Sequence, residues 1–252
     1  MSHPVELSGF KRFLRLFALG FVGILSYLPV MMGSLQKLIQ QFPEQTPPPL
    51  AVLVLVGLLQ SALILALMVV LGLWQSRNLG LKSRVLGEVK TPFLKDLPVA
   101  LVGALGSIVL VAAVYLTFRG AAQSLQQEVN RDLTYTLMGM LYGGLTEELL
   151  MRFGLMTALA ALFRWMFKNT PLAFILAIVV SSVLFGVLHL PYASTLTALT
   201  PQVVAFVVLG NSVAGLVFGT LFWKRNLETA MLAHMGFHVL LSLITWSGLL
   251  AG

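Results

Sequence analysis

The chain has 252 residues, of which 58% are hydrophobic and 10% charged, with a mean hydropathy of +0.92. A soluble domain carries roughly 25% charged residues, so this composition excludes a soluble globular fold and equally a disordered or collagen-like chain. The absence of cysteine excludes a disulfide scaffold and any thiol nucleophile or ligand, and the net charge of +7 reads as loop charge that orients a membrane protein, not as a nucleic-acid footprint.

A membrane-spanning helix needs about 20 mostly apolar residues. Taken in chain order, the segments that meet this length are 13–32, 50–74, 97–118, 133–163, 171–189, 201–223 and 227–250. The runs are continuous rather than alternating, which selects helices over the strands of a membrane barrel. The expected fold is therefore all-α, a polytopic transmembrane bundle of seven spans, or eight. Residues 1–132 supply three spans and a basic loop, and residues 133–252 supply four spans.

Lys11, Arg12 and Arg15 precede the first span, and no Ala-x-Ala cleavage site follows it, so it reads as an uncleaved signal-anchor helix. Pro47, Pro48 and Pro49 make a stiff entry to the second span. Counted by alternate loops, Lys and Arg number 12 on one side and 3 on the other. The positive-inside rule then places the N-terminus in the cytoplasm and, with seven spans, the C-terminus outside. The expected location is an integral, multi-pass position in a bacterial plasma membrane.

Residues 169–223 contain no Asp, Glu, Lys or Arg, yet Glu147, Glu148 and Arg152 stand in the middle of the fourth span. A charge at a helix centre costs about 2.5–3.5 kcal/mol on insertion scales, and intramembrane ionisable groups mark functional sites by default. Glu148 and Arg152 are i and i+4 and share a face. Glu147 is turned away from that pair and has no such local partner. Glu148–Arg152 is thus expected to be support, with Glu147 pointing at the chemistry; the plainer reading is an ion-pair cluster that fixes helix packing.

His189 ends the fifth span one turn after Phe185, before Pro191, and alone reads as an interfacial residue. His234 and His238 are i and i+4 on the seventh span, where a packed polar pair is the plain alternative. Gly215-x-x-x-Gly219 is a small-residue pattern for close helix approach. Gly143 and Gly144 precede Glu147 and allow local bending or backbone access. Asn211 is expected to hydrogen-bond between helices.

Glu147-Glu148-Leu149-Leu150-Met151-Arg152 has the form EExxxR, Phe185 to His189 the form FxxxH, and His234 to His238 the form HxxxH. In this order on successive apolar helices they resemble the CAAX-protease and bacteriocin-processing family, also called Abi or type II CAAX prenyl endopeptidases. The resemblance covers roughly residues 133–250. It implies intramembrane proteolysis in which Glu147 activates a water, His189 binds and orients it, and His234 and His238 stabilise the oxyanion. Glu148, Arg152 and Phe185 match supporting positions. The family usually has Asn where this chain has His238. The implied partners are membrane lipids and a peptide or prenylated-protein substrate, with no nucleic acid.

The residues themselves agree with such chemistry. Without Ser or Cys attack, hydrolysis needs an activated water, and a glutamate in a cavity of low dielectric can serve as its general base. Glu147, His189 and His234 also make a possible zinc ligand set, so a metal-bound water and a water held by Glu and His alone are both open. Two rival readings use the same residues: a proton-coupled carrier, which should show internal repeats that the sequence lacks, and a catalytically inactive scaffold, which the His238 departure favours. One tension accompanies the shared-site reading. Hydropathy edges put His234 about 10 Å from the cytoplasmic end of its helix at 1.5 Å per residue, and His189 near the opposite face. The groups meet only if the fifth span is shifted, tilted or partly re-entrant.

Overall fold

The structure, a computed structural model, describes residues 7–41, 48–126 and 132–248. Ten helices order the described chain: α1 Gly9–Ser26, α2 Leu28–Gln41, α3 Leu50–Gln75, α4 Leu97–Thr117, α5 Arg119–Gln126, α6 Leu133–Phe167, α7 Thr170–Val187, α8 Leu190–Ser194, α9 Pro201–Lys224 and α10 Leu227–Trp246. Among the described residues there is no strand, and six helical stretches are long and apolar enough to cross a membrane, or seven if the bent pair α1–α2 counts as one. The chain is an integral, multi-pass, all-α membrane protein. Of the proline run before the second span, Pro47 lies outside the described residues, and Pro49 stands immediately before α3.

The first expected span, 13–32, is not one straight helix. It breaks at Tyr27, and α1 and α2 meet at 47°. Pro29 explains the break: it has no N–H to give Leu25, and its ring clashes with that carbonyl. The other spans keep the expected order, with shifts of a few residues at their ends.

Lipid exposure sorts the helices. Only 11% of the apolar window of α3 is buried, against 50% for α10, so α3 presents Leu55, Leu59 and Leu63 outward while α10 runs through the centre. Between lipid-soluble helices, association rests on close packing of small residues. Gly215 of α9 lies against Ser182 of α7, where an added Cβ would stand 2.9 Å from its Oγ, and Gly219 lies against Ile178. The small-residue pattern therefore joins α7 to α9. On the other side, Gly72 of α3 abuts Phe153, and Gly154 abuts Met68, which seats α6 against α3.

The basic loop between α3 and α4 is a structured cap. Glu228, at the start of α10, accepts hydrogen bonds from Ser83 Oγ at 2.6 Å, the Arg84 amide at 2.8 Å and the Val85 amide at 3.1 Å. Arg12 pairs with Glu88 at 2.8 Å and Arg84 with Asp96 at 2.6 Å. Arg12 is thus buried in an ion pair, and the cap ties α1, α4 and α10 together at one end of the bundle.

Candidate functional site

Helix α6 carries the first motif in an unusual winding. It is a π-helix over Gly139–Glu147 and again over Leu149–Met156. Such i→i+5 turns are rare and cluster at functional sites. Three glycines, Gly139, Gly143 and Gly144, lie in the first π stretch and are buried against α10. Thr146 donates to the Gly20 carbonyl of α1 at 2.7 Å, which pins the turn just before Glu147.

Glu147 is partly exposed at 18% of its side chain, whereas Glu148 is fully buried at 0%. The two carboxylates therefore face different surroundings, as expected from helix phase. Glu148 faces inward. Its Oε2 lies 3.5 Å from Arg152 Nε, and its Oε1 lies 2.9 Å from His234 Nδ1. The second contact was not legible in the sequence, because 86 residues separate the partners.

Arg152 is buried at 1% exposure, and among the described residues its Nε, Nη1 and Nη2 make no hydrogen bond. It is held instead by charge and by rings. Its guanidinium carbon lies 4.7 Å from the centre of the Phe185 ring and 5.6 Å from that of Phe218. A guanidinium over aromatic faces gains about 2 kcal/mol when desolvated. Phe185 therefore supports Arg152, as well as standing edge-on to the His189 ring at 4.6 Å.

His189 lies just past α7, immediately before α8. The end of α7 and the short α8 turn its imidazole back into the bundle, and its Nε2 comes 3.8 Å from Glu147 Oε1. The depth mismatch suggested by hydropathy edges is thereby resolved: Glu147, His189 and His234 do meet. His234 Nε2 lies 3.9 Å from Glu147 Oε2.

Both imidazoles have their Nδ1 engaged. His189 Nδ1 is 2.7 Å from the Phe185 carbonyl, which can only accept, so Nδ1 carries the proton. His234 Nδ1 donates likewise to the Glu148 carboxylate. Each ring therefore turns Nε2 toward Glu147, with its tautomer fixed by a neighbour, as is usual for imidazoles held in working orientation.

His234 is also stacked. Phe218 of α9 lies nearly parallel to it at 4.4 Å and 20°, and His238 stacks on it at 5.1 Å and 16°. Phe218 carries no motif and was not identifiable beforehand; its only sequence signal is an aromatic on the small-residue face of α9. Tyr27, at the break after α1, packs on Tyr142 with ring centres 5.1 Å apart. These tyrosines too were not singled out by the sequence. Among the described residues Asn211 makes no hydrogen bond to another helix, contrary to expectation. Its side chain donates to the Val207 carbonyl of its own helix at 2.8 Å, the usual refuge of a lone amide in an apolar span.

The zinc expectation has a geometric test. Among the described residues no group of three or more His, Cys, Asp or Glu side chains is placed to hold a metal ion, and Glu147, His189 and His234 do not make one.

No curated protein and no solved structure matches the chain. Residues 129–240, the stretch that holds all three motifs, match the family model described as Type II CAAX prenyl endopeptidase Rce1-like, the family which those motifs resemble.

Proposed function

We propose that the protein is a CAAX-type intramembrane endopeptidase that hydrolyses a peptide bond at or within the bilayer with a water activated by Glu147. The Rce1-like match supports a CAAX-type protease in general. The observation that carries the mechanism is the placing of two imidazole Nε2 atoms 3.8 and 3.9 Å from the two oxygens of one partly exposed carboxylate. These separations are too long for direct hydrogen bonds and suit groups that share a water.

In this mechanism the water donates one hydrogen to Glu147 and the other to the His189 Nε2 lone pair. Its own lone pair then faces the scissile carbonyl. Glu147 takes a proton as the carbon–oxygen bond forms and returns it to the amide nitrogen as the carbon–nitrogen bond breaks. His234 donates to the oxyanion from Nε2. Because its Nδ1–H is committed to Glu148, it can do so only as imidazolium. Two carboxylates, one guanidinium and one imidazolium then sum to zero, which suits a charge cluster in a medium of low dielectric. His238 is the second donor. The reading also places the N-terminus and the basic cap in the cytoplasm of a bacterial plasma membrane, with lipids and an apolar or prenylated peptide as partners.

The test is peptide-bond cleavage by purified protein, wild type beside Glu147→Gln. The substrates are a farnesylated CAAX-ended peptide and a set of apolar helical peptides. We expect cleavage by wild type and at least a hundredfold loss in a folded Gln variant, the scale of a lost general base. A fully active Gln variant sinks the role given to Glu147.

A further inference from the structure

The basic end of the bundle is not uniform. Around the cap the cations are neutralised: Glu88 lies 2.8 Å from Arg12 and 3.6 Å from Arg77, and Asp96 pairs with Arg84. Arg164 and Lys168 stand at the same end, where α6 finishes, and among the described residues neither has a carboxylate partner. Residues 149–227 contain no Asp or Glu at all.

Between the ends of α3 and α6 and the start of α7 lies an open cavity of about 520 Å³, within the usual size of a small-molecule site. Gln75, Asn78, Arg164, Trp165, Lys168 and Thr170 line it, and no carboxylate does. Arg164 Nη1 donates to the Asn78 carbonyl at 2.7 Å, which fixes the guanidinium and leaves its other N–H donors. The Asn78 amide donates to Gln75 Oε1 at 3.5 Å, so the Gln75 NH2 keeps both its hydrogens. Trp165 is 70% exposed, as suits a ring at headgroup level. Lys168 closes α6 with a φ of 56°, and among the described residues it is the only non-glycine with a positive φ. Glycine is the usual residue at such a left-handed cap, so the turn does not explain the lysine.

We propose that this cavity binds a phosphate group, and that the phosphate belongs to the headgroup of an anionic phospholipid in the adjoining leaflet. Arg164 offers planar N–H donors matched to phosphate oxygens, and Lys168 adds a flexible point charge. Two uncompensated cations favour an anionic headgroup over a zwitterionic one, whose ammonium they repel. Basic pockets between membrane helices are a recurrent form of such recognition. A lipid held there bridges α3 to α6, the helix that carries Glu147, so binding should raise Tm. The site is independent of the protease reading and is judged by binding alone.

The experiment titrates delipidated full-length protein in a non-ionic detergent with phosphatidylglycerol, phosphatidylcholine or glycerol 3-phosphate. Native mass spectrometry counts the bound lipid, and Tm is read alongside. One phosphatidylglycerol per chain should bind at least about tenfold more tightly than phosphatidylcholine, raise Tm and weaken with added salt. A basic residue near an anionic membrane surface is worth about fivefold in affinity. Lys168→Gly should therefore bind about fivefold more weakly, and Lys168→Gly with Arg164→Gln about thirtyfold. Without lipid, Lys168→Gly should melt at or above the wild-type Tm, because it relieves the left-handed cap. Lys90→Gln, a charge removed from the cap loop, should bind within about twofold of wild type.

Equal affinity for the two phospholipids overturns the site, as does unchanged phosphatidylglycerol affinity in folded Lys168→Gly. A loss in Lys90→Gln as large as that in Lys168→Gly also overturns it, since the attraction would then be spread over the whole basic end. If glycerol 3-phosphate raises Tm and displaces the lipid at equal concentration, the phosphate site stands and the lipid as its source is overturned. If Arg164→Gln does not fold, Lys168→Gly and Lys168→Asn, which both tolerate the cap, decide.

Discussion

Glu148 and His234 are joined by a hydrogen bond of 2.9 Å across two helices, and the same carboxylate faces Arg152 with its other oxygen at 3.5 Å. The second glutamate of the pair is thus the link between a buried cation and the His234 imidazole. It accepts the His234 Nδ1–H and so orients that ring.

This link should be strongly non-additive. Arg152→Met leaves a buried carboxylate with one partner, and Glu148→Gln leaves a buried guanidinium with only the Phe185 and Phe218 rings. Breaking a buried pair from one side costs about 3–5 kcal/mol. Glu148→Gln should also lower kcat, because Gln holds the His234 ring but cannot balance its imidazolium. The double variant Glu148→Gln with Arg152→Met should be more stable than the sum of the single losses allows. Tm of the four proteins in one detergent checks this. Additive losses would mean that the pair is not coupled.

Phe218 stacks on His234 and lies near the Arg152 guanidinium. Phe218→Leu keeps an apolar side chain but removes the ring face. We expect about a tenfold fall in kcat with KM little changed, and a stability loss of about 1–2 kcal/mol. Phe218→Tyr, which keeps the face, should recover most of the turnover. Equal kcat for the Leu variant and wild type would assign Phe218 to packing alone.

A metal-free water is expected to resist chelation. Incubation with a strong zinc chelator followed by desalting should leave turnover within about twofold, since no group of three suitable side chains among the described residues is placed to hold an ion. Loss of activity restored by added zinc would make Glu147, His189 and His234 ligands instead, a set of the catalytic zinc type.

The cap should open when its clamp is removed. Glu228→Ala leaves the Arg84 and Val85 amides and the Ser83 hydroxyl without their acceptor, at about 1–3 kcal/mol for each group left buried and unpaired. Trypsin should then cut after Lys82 or Arg84 faster than in wild type, and Glu228→Gln should fall between. In sealed vesicles the cut should appear only from the cytoplasmic face. Cutting from the opposite face would reverse the orientation read from the basic loops.

The sequence alone determined the class of the protein, the order of its spans and that Glu147 stands off the Glu148–Arg152 face. Those features are local: hydropathy over about 20 residues defines a span, and helix phase separates Glu147 from the Glu148–Arg152 pair. The three motifs were legible for the same reason, as each lies within one helix or at its end. Tertiary structure decided the rest. The sequence could not show that the segment after α7 turns His189 to the depth of Glu147, that Glu148 reaches His234, or that Phe218 stacks there. Nor could it show that Gly139 and Gly143 pack against His238, or that Asn211 bonds to its own helix. All but the last depend on the register of one helix against another. In a membrane that register is fixed by where small residues let backbones approach, a pairing between distant segments that no local pattern contains.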